Sequence, residues 1–272
     1  MQGLRGKVAV VTGGSSGIGQ AIAVRLGEEG VDVAINYVGQ SEGAEETQET
    51  IQHGVDTCVE QMSSAGTKPT IVEADVSRED EVAAMFAQVV SQYGRLDFLI
   101  NNAGIQVAED TEDLAVADFD KVLAVNLRGA FLCAQQAIRQ FLESDGGAIV
   151  NVSSVHQVIP KPRFVGYSVS KGGMQNLTHT LALEYAARGI RVNGIGPGAT
   201  VTPINRSWID DPEKKKAVEN HIPMRRAGTA AEMAAVTAFL CSDEAAYITG
   251  QTVFVDGGLT LYPSFETAWS SE

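Results

Sequence analysis

Cysteine is scarce: Cys58, Cys133 and Cys241 are the only three in 272 residues. They are odd in number and lack metal-ligand spacing, which argues against a disulfide framework or a thiolate metal centre and fits a reducing compartment. Positive charge is also short. Lys and Arg number 20 against 34 Asp and Glu, a net charge of −14 that argues against nucleic acid or an anionic membrane as partner. No apolar run approaches the ~20 residues that span a bilayer. The opening MQGLRGKVAVVTGG passes straight into a strand pattern, with no apolar leader. No repeat or linker composition interrupts the chain, so one domain over 1–272 is expected, cytoplasmic and without a metal site.

What is present alternates strands with helices. KVAVVT (7–12) is a short β-branched run of the kind buried in parallel sheets. GGSSGIG (13–19) follows and opens a helix, a strand–turn–helix order that lets glycine backbone approach a pyrophosphate at the helix N-terminus. Gly13, Ser15, Ser16, Gly17, Ile18 and Gly19 are therefore cofactor candidates. The second strand, VDVAIN (31–36), ends at Asn36-Tyr37-Val38, neither the acid that reads a ribose 2′-hydroxyl nor a base for a 2′-phosphate. No Lys or Arg occurs between Glu28 and Thr67, and 41–65 reads as one or two acidic, solvated helical pieces.

Strand three (70–74) leads to Asp75-Val76, placed to meet an adenine edge. A helix follows over Glu79 to Tyr93, with Val82, Met85, Phe86, Val89 and Val90 on one face. Strand four (97–100) ends in Asn101-Asn102-Ala103-Gly104, small enough for a cofactor to pass. One long helix is expected from Asp118 to Glu143, carrying Asn126 to hydrogen-bond across the core or hold a water. Strands five (147–152), six (189–195) and seven (252–255) complete the sheet. Residues 203–226 form a candidate lid over the site, and 259–272 an apolar tail.

The chemistry gathers between Ser154 and Lys171. Tyr167 and Lys171, four apart at a helix start, share one face. A fixed ammonium favours phenolate, so the tyrosine pKa is expected to fall from about 10 towards neutrality. Ser154, just beyond strand five, is placed to hold a substrate oxygen against that phenol.

Taken together, TGGSSGIG (12–19), Asp75-Val76, NNAG (101–104), Asn126, Ser154, YSVSK (167–171), PGATVT (197–202) and DGG (256–258) resemble the short-chain dehydrogenase/reductase family over residues 5 to 265. The resemblance implies an α/β, Rossmann-type doubly wound domain with a seven-stranded parallel sheet, binding NAD or NADP. It implies a tetrad of Asn126, Ser154, Tyr167 and Lys171, with Asn126 keeping a water against Lys171. It adds Asn36, Tyr37, Asp75, Val76, Asn102, Ala103, Gly104, Pro197, Gly198, Thr200 and Thr202 to the cofactor site, beside Tyr167 and Lys171. Relatives of this kind imply a homotetramer paired through the helices of Asn126 and Tyr167 and through the last strand.

Within the family, SSVHQVIPKPRFVGYSVSKGGM, IGPGATVTPIN, HIPM and DGGLTLYPSF look most similar to the bacterial glucose 1-dehydrogenases. That likeness implies an alcohol or carbonyl substrate of aldose type, met by Ser154, His156, Gln106 and Tyr167. The chain departs from the group at Val38, where an arginine is usual, and at Gln106 and Gln157, where acids are common. A general carbonyl or 3-oxoacyl reductase, served by Arg225-Arg226 and Lys214 to Lys216, and a non-catalytic cofactor sensor are the alternative readings.

Overall fold

A computed structural model describes residues 1–39, 56–64 and 66–261. Seven strands, β1 (Val8–Val11), β2 (Asp32–Tyr37), β3 (Thr70–Glu73), β4 (Phe98–Asn101), β5 (Gly147–Val152), β6 (Ile190–Pro197) and β9 (Thr252–Val255), form one sheet. A separate two-stranded ribbon pairs β7 (Thr200–Val201) with β8 (Gly228–Thr229). The large sheet runs β3-β2-β1-β4-β5-β6-β9, every pairing parallel. Helices cover both faces, which is why β1 is buried at all four positions and needs no polar alternation.

The helices are α1 (Gly17–Glu28), α2 (described over 56–64), α3 (Glu79–Tyr93), α4 (Val116–Leu123), α5 (Gly129–Leu142), α6 (Val165–Tyr185), α7 (Arg206–Ile209), α8 (Pro212–Asn220) and α9 (Ala230–Cys241). One face of the sheet packs on α3, α5 and α6 through Val82, Phe86, Cys133, Phe141 and Leu181. The other packs on α1, α2 and α9 through Ile22, Leu26, Met62, Ala234 and Leu240. Each large side chain fully buried this way contributes about 1.5–3 kcal/mol.

The chain winds outward through β1, β2 and β3, then crosses back to place β4 beside β1. That reversal opens a crevice at the carboxyl ends of β1 and β4, where open α/β sheets take ligands. The α3 helix spans the residues its apolar face predicts and ends where Gly94, at φ 74°, returns its N–H to the Val90 carbonyl.

The long helix expected from Asp118 to Glu143 runs without a break from 116 to 142, but a π-helical turn, Ala124–Arg128, joins α4 to α5 with Asn126 inside it. Of the acidic stretch 41–65, residues 56–64 are helical and the others lie outside the described residues, as do 262–272 of the tail. Among the described residues no helix is long and apolar enough to cross a membrane.

Candidate active site

At the crevice lies a cavity of about 530 Å³. The glycine turn forms one wall. Gly13 and Gly17, at φ +61° and +56°, adopt the left-handed conformation that glycine tolerates. A Cβ on Gly13 would come within 3.0 Å of the Ala103 backbone, and one on Gly19 would strike the Asn102 amide. The turn and the end of β4 are bolted together. Thr12 Oγ1 accepts from the N–H groups of Asn102 and Ala103 at 2.9 and 3.0 Å. Asn102 Nδ2 donates to the carbonyls of Thr12 and Gly13 at 2.9 and 3.0 Å.

Asn36 braces the same turn from behind. Its Oδ1 accepts from Gly13 N–H at 3.3 Å, while Nδ2 donates to the Val72 and Ala74 carbonyls at 3.3 and 2.9 Å. Only 1% exposed, its amide is spent within the protein. Gly13, Ser15, Ser16, Gly17 and Ile18 face the cavity with Asn102, Ala103 and Gly104. The α1 N-terminus carries no acid in its first turn, so its free N–H groups suit a pyrophosphate. Pro197, Gly198, Thr200 and Thr202 close the other side; Asn205 Nδ2 holds the Thr200 carbonyl at 2.9 Å and the Thr202 hydroxyl at 3.3 Å. These residues fit a dinucleotide.

Gly19, Asn36, Tyr37, Asp75, Val76 and Asn126 do not line the cavity. Asp75 caps its own turn, its Oδ1 accepting from Ser77 N–H at 2.8 Å. Val76 packs where a Cβ on Gly129 would lie 2.9 Å away, tying the end of β3 to the start of α5.

Of the expected tetrad, Ser154 stands just beyond β5, Tyr167 and Lys171 on α6, and Asn126 in the π turn. Lys171 is 3% exposed, and its ammonium donates to the Val152 carbonyl at 2.8 Å. It lies 5.5 Å from the centroid of the Tyr167 ring. Burial drops its pKa from 10.5 to about 8. The Tyr167 phenol moves opposite to expectation: burial raises its pKa, and the hydrogen bond with Ser154 only partly opposes this. The shift that Lys171 was expected to impose does not emerge, because taking a phenolate out of water outweighs an ammonium set beside the ring.

Asn126 is wholly buried. Its Oδ1 accepts from Ile105 N–H at 2.8 Å; Nδ2 donates to the Ile105 carbonyl at 2.9 Å and to Ser170 Oγ at 3.1 Å. Ser170 in turn donates to the Tyr167 carbonyl at 2.7 Å. The π turn thus aims one amide at two elements, and both its donors are spent. A water of the kind the resemblance implies beside Lys171 would be held through an acceptor of Asn126, its Oδ1 or its backbone carbonyl.

His156 sits against Tyr167 edge-on, with ring centroids 6.1 Å apart. Its Nδ1 lies 2.9 Å from the Ile159 carbonyl, which makes Nδ1 the protonated nitrogen and leaves Nε2 as acceptor. Burial lowers the imidazole pKa, so the ring is neutral at pH 7. Gln106 lines the cavity as expected, whereas Gln157 does not; the side-chain nitrogen and oxygen of Gln157 are buried without a partner. From the candidate lid, Ile204, Asn205, Trp208, Val218, His221 and Ile222 contribute to the wall. Two residues carried no signal in the sequence: Lys161, which lines the cavity, and Glu73, whose Oε1 accepts from Gly39 N–H at 3.2 Å beyond the tip of β2.

Comparison with known proteins agrees with this geometry. Residues 13–260 match the family described as enoyl-(acyl carrier protein) reductase. The chain is 49% identical to a glucose 1-dehydrogenase of Gluconobacter oxydans, over 98% of this chain and 96% of that one. It is 46% identical to a 3beta-hydroxysteroid dehydrogenase of Eggerthella lenta, over 97% of each. The crystal structure of levodione reductase superposes with a TM-score of 0.85 at 36% identity, covering 95% of this chain and 99% of that one.

The Lys171 pKa carries a sign. Folding holds a group that ionises near 8 where the unfolded chain has 10.5, so the unfolded state binds more protons in between. The cost, about 3 kcal/mol, is felt in full below pH 8 and fades as pH rises towards 10.5. Lys171→Met is therefore expected to raise the thermal midpoint at pH 7 while abolishing turnover, the gain shrinking towards pH 10. A variant less stable than wild type at pH 7 in calorimetry would contradict this.

Proposed function

The chain belongs to the short-chain dehydrogenase/reductase family, an NAD(P)-dependent oxidoreductase of CH–OH groups, and on that premise we propose that it oxidises the C1 hydroxyl of an aldose such as glucose. The observation that carries the proposal is the convergence of Ser154, Tyr167 and Lys171 on one cavity whose opposite wall is the glycine turn. The nicotinamide, when bound, supplies the two-electron acceptor: the C1–H bond breaks as hydride, the O–H proton leaves, and a carbonyl forms. Ser154 fixes the substrate oxygen against the phenol. Tyr167, kept protonated by burial, is ready to donate in reduction; in oxidation it must accept, and the Lys171 charge then stabilises the phenolate. Lys171 would also hold the nicotinamide ribose. Gly13, Ser15, Ser16, Gly17, Ile18, Asn102, Ala103, Gly104, Pro197, Gly198, Thr200 and Thr202 would hold the dinucleotide, while Gly19, Asn36 and Asn126 position the parts that touch it. Tyr37, Asp75 and Val76 would border the adenosine end. Residues 203–226 would close over the substrate.

The acyl-carrier alternative loses support from the basic patch. Arg226 pairs with Glu232 at 2.6 Å and Lys214 with Asp211 at 3.4 Å, which neutralises part of it. The cytoplasm suits three cysteines that are buried and unpaired. A homotetramer fits the face where Leu123, Leu127, Phe131 and Leu177 line a second cavity, Phe131 being 44% exposed.

Four outcomes are expected. With D-glucose and either nicotinamide, the protein reduces the cofactor. Tyr167→Phe lowers kcat by at least a thousandfold with cofactor affinity within threefold; a variant that keeps its rate would overturn the assignment of the proton-transfer group. Beyond the β2 tip the Glu73 carboxylate accepts from Gly39 N–H, and no Lys or Arg lies in sequence from Glu28 to Thr67 to answer a 2′-phosphate there. Like-charge repulsion at a partly screened site is worth about 1.4 kcal/mol. NAD should thus bind about tenfold tighter than NADP by fluorescence titration, and Glu73→Gln should narrow that ratio; tighter NADP binding by the wild type would refute it. Phe131→Glu should dissociate the oligomer in light scattering, and an unchanged mass would remove that face from the assembly.

A further inference from the structure

In a chain carrying 34 acids, no Asp or Glu among the described residues lines the main cavity, whereas Lys161, Lys171, His156 and His221 do. Lys171 is committed to the Val152 carbonyl and the phenol. Lys161 is not. Its ammonium rests 4.0 Å from the centroid of the Phe164 ring, and none of the ion pairs among the described residues involves it. Arg163, the other cation of this loop, is answered by Glu109 and Asp110 at 3.6 and 3.3 Å. The loop between β5 and α6 therefore offers the cavity one uncompensated positive charge, on a stem steadied by an aromatic face.

Its place relative to the chemistry is set by His156. That ring touches Tyr167 on one side and feels the Lys161 charge, which with burial holds its pKa down. His156 thus neighbours both Tyr167 and Lys161 on the lining of the cavity. A neutral sugar would leave this exposed ammonium on its aromatic rest with no anion to pair. An anion on the far end of the sugar would pair it, by the charge-assisted hydrogen bonding that lysine gives phosphate or carboxylate.

We propose that the site takes an aldose with an anionic group on the carbon farthest from C1, and that Lys161 is the residue that selects it. The proposal rests on the aldose reading above. Phosphate and carboxylate share the required chemistry, so three substrates that react at the same C1 hydroxyl separate the cases: D-glucose, D-glucose 6-phosphate and D-glucuronate.

Initial rates with the wild type, Lys161→Met and Lys161→Glu form the test. At least one anionic aldose should exceed glucose in kcat/KM by tenfold or more, mainly through KM, with the margin shrinking as salt is raised. Lys161→Met should lower that value about tenfold and leave glucose within twofold; Lys161→Glu should lower it further. A lead for the 6-phosphate identifies phosphate as the partner, and a lead for glucuronate identifies carboxylate. Glucose equalling both anions, or Lys161→Met lowering all three alike, would overturn the proposal while the aldose reading stood. Oxidation of none of the three by the wild type would remove the aldose reading and the proposal with it.

Discussion

An ammonium kept inside the protein is the constraint on which this site depends. Lys171 is almost wholly enclosed, holds one carbonyl, and ionises near 8 as a result. A hydrophobic residue there would cost nothing of the kind. The placement makes sense only if the charge is used, and the one group beside it with a proton to move is the Tyr167 phenol. Burial acts on the two in opposite directions, raising the phenol and lowering the ammonium. Burial thus favours the uncharged form of each group and holds the proton on the phenol, and small changes in what lies over them shift the balance.

Holding that pair in place falls to amides rather than to apolar packing. Asn126 clamps Ile105 and Ser170; Asn102 clamps the glycine turn; Asn36 clamps that turn to β3. Beneath them Asn101 donates to Asn151, and Asn151 to Thr178 on α6, at 2.9 and 2.8 Å. An asparagine can donate twice and accept at the other end. It can thus bridge two backbone segments that no ladder joins, and the carboxyl edge of a parallel sheet is where ladders stop. Apolar residues build the layers; amides fix the loops that the layers leave free.

This division explains what was legible in the sequence. The α3 helix and β5 were readable to the residue, because an apolar stripe with a terminal glycine, and a run of β-branched residues after glycines, carry their boundaries locally. The glycine turn and the Tyr167–Lys171 spacing were readable because backbone approach and one helical turn are local geometry too. The π turn at Asn126 was not, since its cause lies twenty-one residues away at Ile105 and forty-four away at Ser170. The Tyr167 shift was misjudged because spacing shows a neighbouring charge and does not show burial. Glu73 escaped for a related reason: the tip of β2 was searched along β2, and the carboxylate arrives from the strand beside it, in register with Tyr37.

The same reasoning separates what the relatives tell from what they do not. One relative at 49% identity is a glucose dehydrogenase and another at 46% a steroid dehydrogenase, so similarity of this degree shows an oxidoreductase of CH–OH groups and leaves the substrate open. The reason is structural. Ser154 stands just beyond β5 and Tyr167 and Lys171 on α6, whereas much of the remaining cavity wall comes from the loop after β5 and from α7 and α8, segments that exchange side chains without disturbing the sheet. Substrate identity must then be argued from charge and shape in those segments alone. In this chain they offer His156, Trp208, His221 and Lys161 and, among the described residues, no carboxylate. A hydroxyl-rich substrate is held best by acceptors as well as donors, and here the side-chain acceptors are neutral, among them Gln106, Ser154, Asn205 and the unprotonated nitrogen of His156.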